Sequence, residues 1–89
     1  MALFMGIHSL PPGAVTRQQM EQLAMAGQAD PVVKGYRSFF SNSDGKLVCV
    51  MEAPDKEALA QWFQRMKLPY DAIVELEYEG ERGAFKALK

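Results

Sequence analysis

Apolar and polar positions change their spacing several times along this chain, and each change marks an element. From Ala2 to His8 the side chains alternate, with Leu3, Met5 and Ile7 on one side and Phe4, Gly6 and His8 on the other. That period predicts a first strand that is apolar on both faces. Ser9-Leu10-Pro11-Pro12-Gly13 stops it, because two prolines and a glycine cannot continue a ladder. Thr16 and Gln19 have the spacing of a capping box, with Val15 and Met20 as its hydrophobic staple. Met20, Leu23 and Ala24 then recur at helical spacing, so a helix runs from Arg17 to Ala26 and Gly27 ends it.

Asp30-Pro31 turns the chain into a second strand, Val32 to Ser41, in which Tyr36, Phe39 and Phe40 are strong strand formers. Asn42-Ser43-Asp44-Gly45 makes a hairpin turn, since these residues tolerate left-handed backbone. Lys46 to Met51 returns antiparallel with apolar side chains pointing both ways. Pro54 ends that strand and Asp55 caps a second helix. Leu59, Trp62, Phe63 and Met66 share one face of it, each contributing roughly 1.5 to 3 kcal/mol if buried. After Leu68-Pro69-Tyr70-Asp71 comes a last strand, Ile73 to Glu79, with Val74, Leu76 and Tyr78 inward and Glu75, Glu77 and Glu79 outward. In the tail, Gly80 to Lys89, Phe85 and Leu88 either fray or lie on a partner subunit.

This order predicts an α+β, ferredoxin-like βαββαβ domain over residues 1–79, followed by the tail 80–89. The antiparallel sheet has four strands, the first and third central, and carries both helices on one face. The opposite face, with Phe4 or its neighbours and half of the third strand, then needs another cover. A homodimer packing sheet against sheet, a dimeric α/β-barrel-like assembly, supplies it.

Composition sharpens this picture in three places. A chain of 89 residues buries only about 60 to 65% of its unfolded surface, so a partner surface is an advantage. With 10 basic and 11 acidic residues the formal charge is −1, which offers no footprint for nucleic acid or an anionic membrane. No apolar run is long enough to span a bilayer, and the first residues lack a signal-peptide pattern, so a cytoplasmic protein is expected. The single cysteine, Cys49, lies within an apolar strand and reads as an inert buried thiol.

Candidate chemistry is sparse. His8 is the one histidine, placed at the end of the first strand where, on a dimer-facing side, it would line a cleft. Tyr36, together with Ser38 and Phe40, is a candidate for a ligand cavity; Arg37 alternates to the other side. Glu52 is either a general base tuned by burial or the point where the third strand leaves for solvent. The row Glu75, Glu77 and Glu79 suits cations but is explained by a solvated strand face. Phosphate-cradling glycine loops, Cys-x-x-Cys, His-x-x-x-His and a nucleophile elbow are all absent from the sequence.

Three segments carry a family resemblance: Phe4-Met5-Gly6-Ile7-His8, Val48 through Asp55 with its Glu-Ala-Pro-Asp helix start, and Leu68-Pro69-Tyr70-Asp71-Ala72-Ile73-Val74-Glu75. Together they resemble small ferredoxin-like proteins of unknown function, some of them described as nickel-binding. The resemblance implies a nickel site built from an acidic residue at the position of Gly6, a histidine at His8 and a further histidine on the first helix. Only His8 carries over, so nickel at His8 is one expectation and a small ligand bound by a homodimer near His8 is the other. By analogy of fold, muconolactone-isomerase-like proteins and cofactor-free monooxygenases offer an enzymatic alternative, for which His8, Tyr36 and Glu52 are the candidate residues.

Overall fold

The computed structural model describes residues 2–88. Strand β1 (Ala2–Ser9), helix α1 (Arg17–Ala29), strands β2 (Lys34–Ser41) and β3 (Lys46–Ala53), helix α2 (Lys56–Arg65) and strand β4 (Ala72–Glu75) follow the order that the spacing predicts. A further pair, β5 (Tyr78–Glu81) and β6 (Ala84–Ala87), comes after them. The four-stranded sheet has the order β2-β3-β1-β4 and all its pairings are antiparallel. β1 and β3 are central, as their two-sided apolar pattern requires. No helix among the described residues is long and apolar enough to cross a membrane.

Local chemistry explains most boundaries. The capping box at α1 forms in full: the Gln19 amide donates to Thr16 Oγ1 (3.1 Å) and the Thr16 amide to Gln19 Oε1 (2.8 Å). Asp55 caps α2 by accepting from the Ala58 amide at 2.8 Å. Gly27 does not end α1. It is buried inside the helix, where an added Cβ would lie 3.3 Å from Met51 Cε, so its smallness admits the helix to the sheet. The real stop is Asp30, whose carboxylate accepts from the amides of Val32 and Val33 (2.9 and 3.0 Å) and turns the chain. β2 therefore starts two residues later than the sequence suggests.

Both helices lie on one face of the sheet. Phe4, Leu47, Cys49, Met51 and Ala53 point to that face and join Leu59, Trp62 and Phe63 of α2 in the core. Met66 caps the C-terminus of α2 and is 37% exposed, so the predicted apolar face loses its fourth member. Of Phe4 and its neighbours, Phe4 itself is on the covered face. The uncovered face carries its neighbours Leu3, Met5 and Ile7 with Val48 and Val50, all half-buried. Phe39, paired with Val48, is 61% exposed on the same face.

The last strand differs most from its sequence reading. β4 ends at Glu75, and Ile73, not Val74, packs on the core; Val74 pairs with Met5 on the uncovered side and is 37% exposed. The acidic row is thus broken between two sheets. Tyr78 to Ala87 forms its own hairpin, closed by Arg82 (φ 48°) and Gly83 (φ 89°), left-handed backbone that two-residue hairpin turns demand.

In the core, the Phe63 ring packs directly over Gly6. A Cβ there would meet Phe63 Cζ at 2.5 Å and Cε2 at 2.6 Å. Gly6→Ala is expected to cost about 1 to 3 kcal/mol by forcing the ring aside. Urea unfolding of Gly6→Ala, Phe63→Leu and the double variant checks this: the alanine costs less in the Phe63→Leu background, and purely additive losses would show that the contact is not the cause.

Candidate functional site

The fold separates the three residues nominated by sequence. His8 lies on the helix-covered face with 0% exposure. Its Nδ1–H donates to the Pro69 carbonyl oxygen at 2.8 Å, which fixes the tautomer because a carbonyl can only accept. Phe63 meets the imidazole edge to face, with centroids 4.7 Å apart and planes at 90°. His8 Nε2 is buried without a hydrogen-bond partner. Burial holds the imidazole below its ordinary pKa, opposed by the Pro69 bond and the Asp71 carboxylate. His8 therefore does not line a dimer-facing cleft; alternation from Phe4 turns it under α2.

Beside His8 the Leu68–Asp71 segment is latched to β1. The Asp71 amide donates to Ile7 O (2.7 Å), Ser9 Oγ donates to Asp71 Oδ2 (2.6 Å), and Lys46 Nζ donates to Ser9 Oγ (2.7 Å). The Leu-Pro-x-Asp motif is thus structural.

Tyr36 is displaced by a β-bulge. Gly35 pairs with Met51 and Arg37 with Val50, leaving Tyr36 out of the ladder. Tyr36 and Arg37 accordingly do not point apart: the guanidinium carbon is 5.9 Å from the Tyr36 ring centroid. The Tyr36 hydroxyl donates to Glu79 Oε2 at 2.8 Å, and this bond raises its pKa. Arg37 reaches Glu81 at 3.8 Å. Both side chains thus bind the β5–β6 hairpin. Glu52 pairs with Leu3 and Lys34 in the ladders. It lies on the uncovered face five residues along the sheet from His8, about 16 Å at strand rise. Tyr36 borders three surface pockets, and neither His8 nor Glu52 lines any of these.

A different set of residues makes a cavity. Helix α1 buries only Gly27, whereas α2 buries three large side chains. Between the N-terminal half of α1 and strands β2 and β3 lies a half-open cleft of about 470 Å³. Met20, Leu23, Phe40, Leu47 and Cys49 give it an apolar floor and walls; Arg17, Glu21, Ser38 and Asn42 supply its polar groups. Ser38 and Phe40 face this cleft, while Tyr36 shares with Ser38 a separate, smaller pocket of about 190 Å³ beside it. Burial pushes the Cys49 thiol up to about 11, against a hydrogen bond with Ser38, so it is a neutral, unreactive part of the wall. Volume and lining are those of a small-molecule site with few polar contacts. Sequence alternation could mark Ser38 and Phe40, but the gap depends on how far α1 stands from the sheet.

The fit to nickel can be tested on the same geometry. An imidazole whose Nδ1 is tied to a carbonyl and whose Nε2 is free is arranged as a metal ligand would be. The rest of the donor set is missing: among the described residues no group of three or more His, Cys, Asp or Glu side chains converges. Gly6 brings no ligand, and α1 carries no histidine. The residues present do not fit a nickel centre.

A sequence model of the family described as Nickel responsive protein SCO4226-like matches residues 4–76. Among solved structures, the crystal structure of SCO4226 from Streptomyces coelicolor A3(2) is similar, with a TM-score of 0.75 and 26% identity. The match covers 89% of this chain and 100% of that one. None of the curated proteins matches the chain.

The buried imidazole gives a signed pH effect. Its folded pKa is lowered from about 6.5 in the unfolded chain. The unfolded state therefore takes up the proton first, and the stability from neutral His8 is complete above about pH 6.5 and lost as pH falls toward the folded value. The urea midpoint of the wild type should fall more between pH 7 and 5.5 than that of His8→Gln, which does not titrate. Parallel falls would show that His8 is not the group responsible.

Proposed function

This chain belongs to the family described as Nickel responsive protein SCO4226-like, and on that footing we propose that it is a small homodimeric binding protein that takes a small, mainly apolar molecule into the α1–sheet cleft. The observation that carries this reading is the cleft itself, a gap of ligand size between an apolar floor and a helix that buries almost nothing. A molecule entering it would remove Phe40 and Met20 from water and meet Ser38, Asn42 and Arg17 as orienting groups. The one carboxylate in the lining, Glu21, is exposed and ion-paired with Arg17 at 3.9 Å, and the Cys49 thiol is held neutral. Binding is thus favoured over the isomerase or monooxygenase alternative, whose candidates His8, Tyr36 and Glu52 do not converge. The response to nickel in the family description is read here as a property to which His8 contributes no metal bond.

We read the βαββαβ unit as ferredoxin-like and the dimer as sheet on sheet. The support is the uncovered face, where Leu3, Met5, Ile7, Val48 and Val50 are only half-buried and Phe39 is exposed. On β3 this face begins at Lys46 and ends at Glu52. A two-fold axis across the strands would set Lys46 over Glu52 of the partner subunit, giving charge complementarity around an apolar centre. The hairpin beside it exposes Tyr78 and Phe85 by 67% and 77%. A two-stranded ribbon is marginal alone, so it is read as lying against the partner.

Light scattering at micromolar concentration is expected to give the dimer mass, with Val48→Glu shifting it to monomer; a monomeric wild type would overturn the assembly. Titration with the fluorescent probe 8-anilinonaphthalene-1-sulfonate is expected to show saturable binding. Ala24→Phe, which fills the cleft from an exposed position of α1, should weaken it at least tenfold at unchanged thermal midpoint. Equal binding by both proteins would rule out the cleft.

A further inference from the structure

We infer that His8 is a structural strut closed to nickel, so that any nickel response of this protein proceeds without a bond from its one histidine. Nδ1 is committed to Pro69 O at 2.8 Å, and a metal could be met only by Nε2. A metal–imidazole bond is about 2 Å long, so the ion would need open space directly beyond that atom. Nε2 is itself buried, with almost no surface open to solvent and no polar partner. A point one Cβ bond from Gly6 lies 3.0 Å from His8 Nε2, 2.5 Å from Phe63 Cζ and 2.6 Å from Phe63 Cε2. The nitrogen and the ring edge thus crowd the same spot above the Gly6 backbone. The positive edge of an aromatic ring is a tolerable neighbour for an imidazole lone pair and gives a metal no electrons.

Further donors are out of reach. Cys49, opposite Gly6 in the ladder, turns its thiol to Ser38 on the β2 side. Asp71, the carboxylate that acts on the imidazole, is held by Ser9. A second copy cannot complete the site, because His8 lies under α2 on the covered face with no exposure, whereas the apolar surface open to a partner is the other side of the sheet. The same geometry gives His8 a positive role. It ties β1 to the Leu68–Asp71 return across 61 residues of sequence, next to the Asp71 amide bond to Ile7 O, and so fixes where β4 begins.

Calorimetric titration of the tag-free protein and of His8→Gln with nickel chloride at pH 7.5 tests this. Expected is no uptake by either, or uptake that differs by less than about twofold between them. Loss of stoichiometric uptake in His8→Gln would overturn the inference. Because that variant could lose affinity through misfolding, the wild type is also followed by NMR: nickel is paramagnetic and broadens the ring signals of any histidine that binds it. Sharp His8 ring signals at saturating nickel are expected, and their selective disappearance would overturn the inference whatever the variant does.

Discussion

The contact on which the molecule turns is that of the Phe63 ring with the bare backbone of Gly6. Phe63 is wholly buried, and it touches three other rings, His8, Trp62 and Tyr70, at centroid distances of 4.7, 5.7 and 5.6 Å. A glycine in a central strand is ordinarily a weakness. Here it lets an aromatic ring from α2 reach the sheet, and the ring in turn walls in the histidine two residues further along β1. Close packing leaves no slack for a side chain at position 6, so helix placement, histidine environment and absence of a metal ligand have one cause.

The two helices divide the work unequally. α2 brings Leu59, Trp62 and Phe63 to the core; α1 brings the backbone of Gly27 and the smaller or more flexible Met20, Leu23 and Ala26. A helix with small side chains cannot fill the space over an edge strand, and β2 is an edge. The cleft follows from that mismatch in side-chain volume. The half of the sheet that carries stability and the half that offers a binding volume are thus built from the same face.

The reverse face is governed by a different shortage. Two helices cover one side only, and β1 and β3 keep apolar residues on both. The bulge at Tyr36 bends the edge of β2 and directs Tyr36 and Arg37 to Glu79 and Glu81 of the hairpin. That hairpin stands beyond the residues matched by the family, 4–76, and borders the uncovered face near Leu3, Val50 and Leu76.

The sequence by itself determined the order of the first six elements, both helix caps, the hairpin turn at Gly45 and the centrality of β1 and β3, because these depend on local hydrogen bonds and on short-period patterning. It also marked His8 and Cys49 as chemistry to be judged by burial. It could not place a strand break after Glu75, the bulge at Tyr36 or the continuation of α1 through Gly27. Those depend on what lies across the sheet, as when Met51 and Trp62 make room for a glycine. The site was legible only in fragments, Ser38 and Phe40 by alternation and His8 by its singularity. Only tertiary structure decided that the first two line a cleft while the third is sealed. A cavity is the volume left between elements, and that volume is set by side chains distant in sequence, which no local pattern encodes.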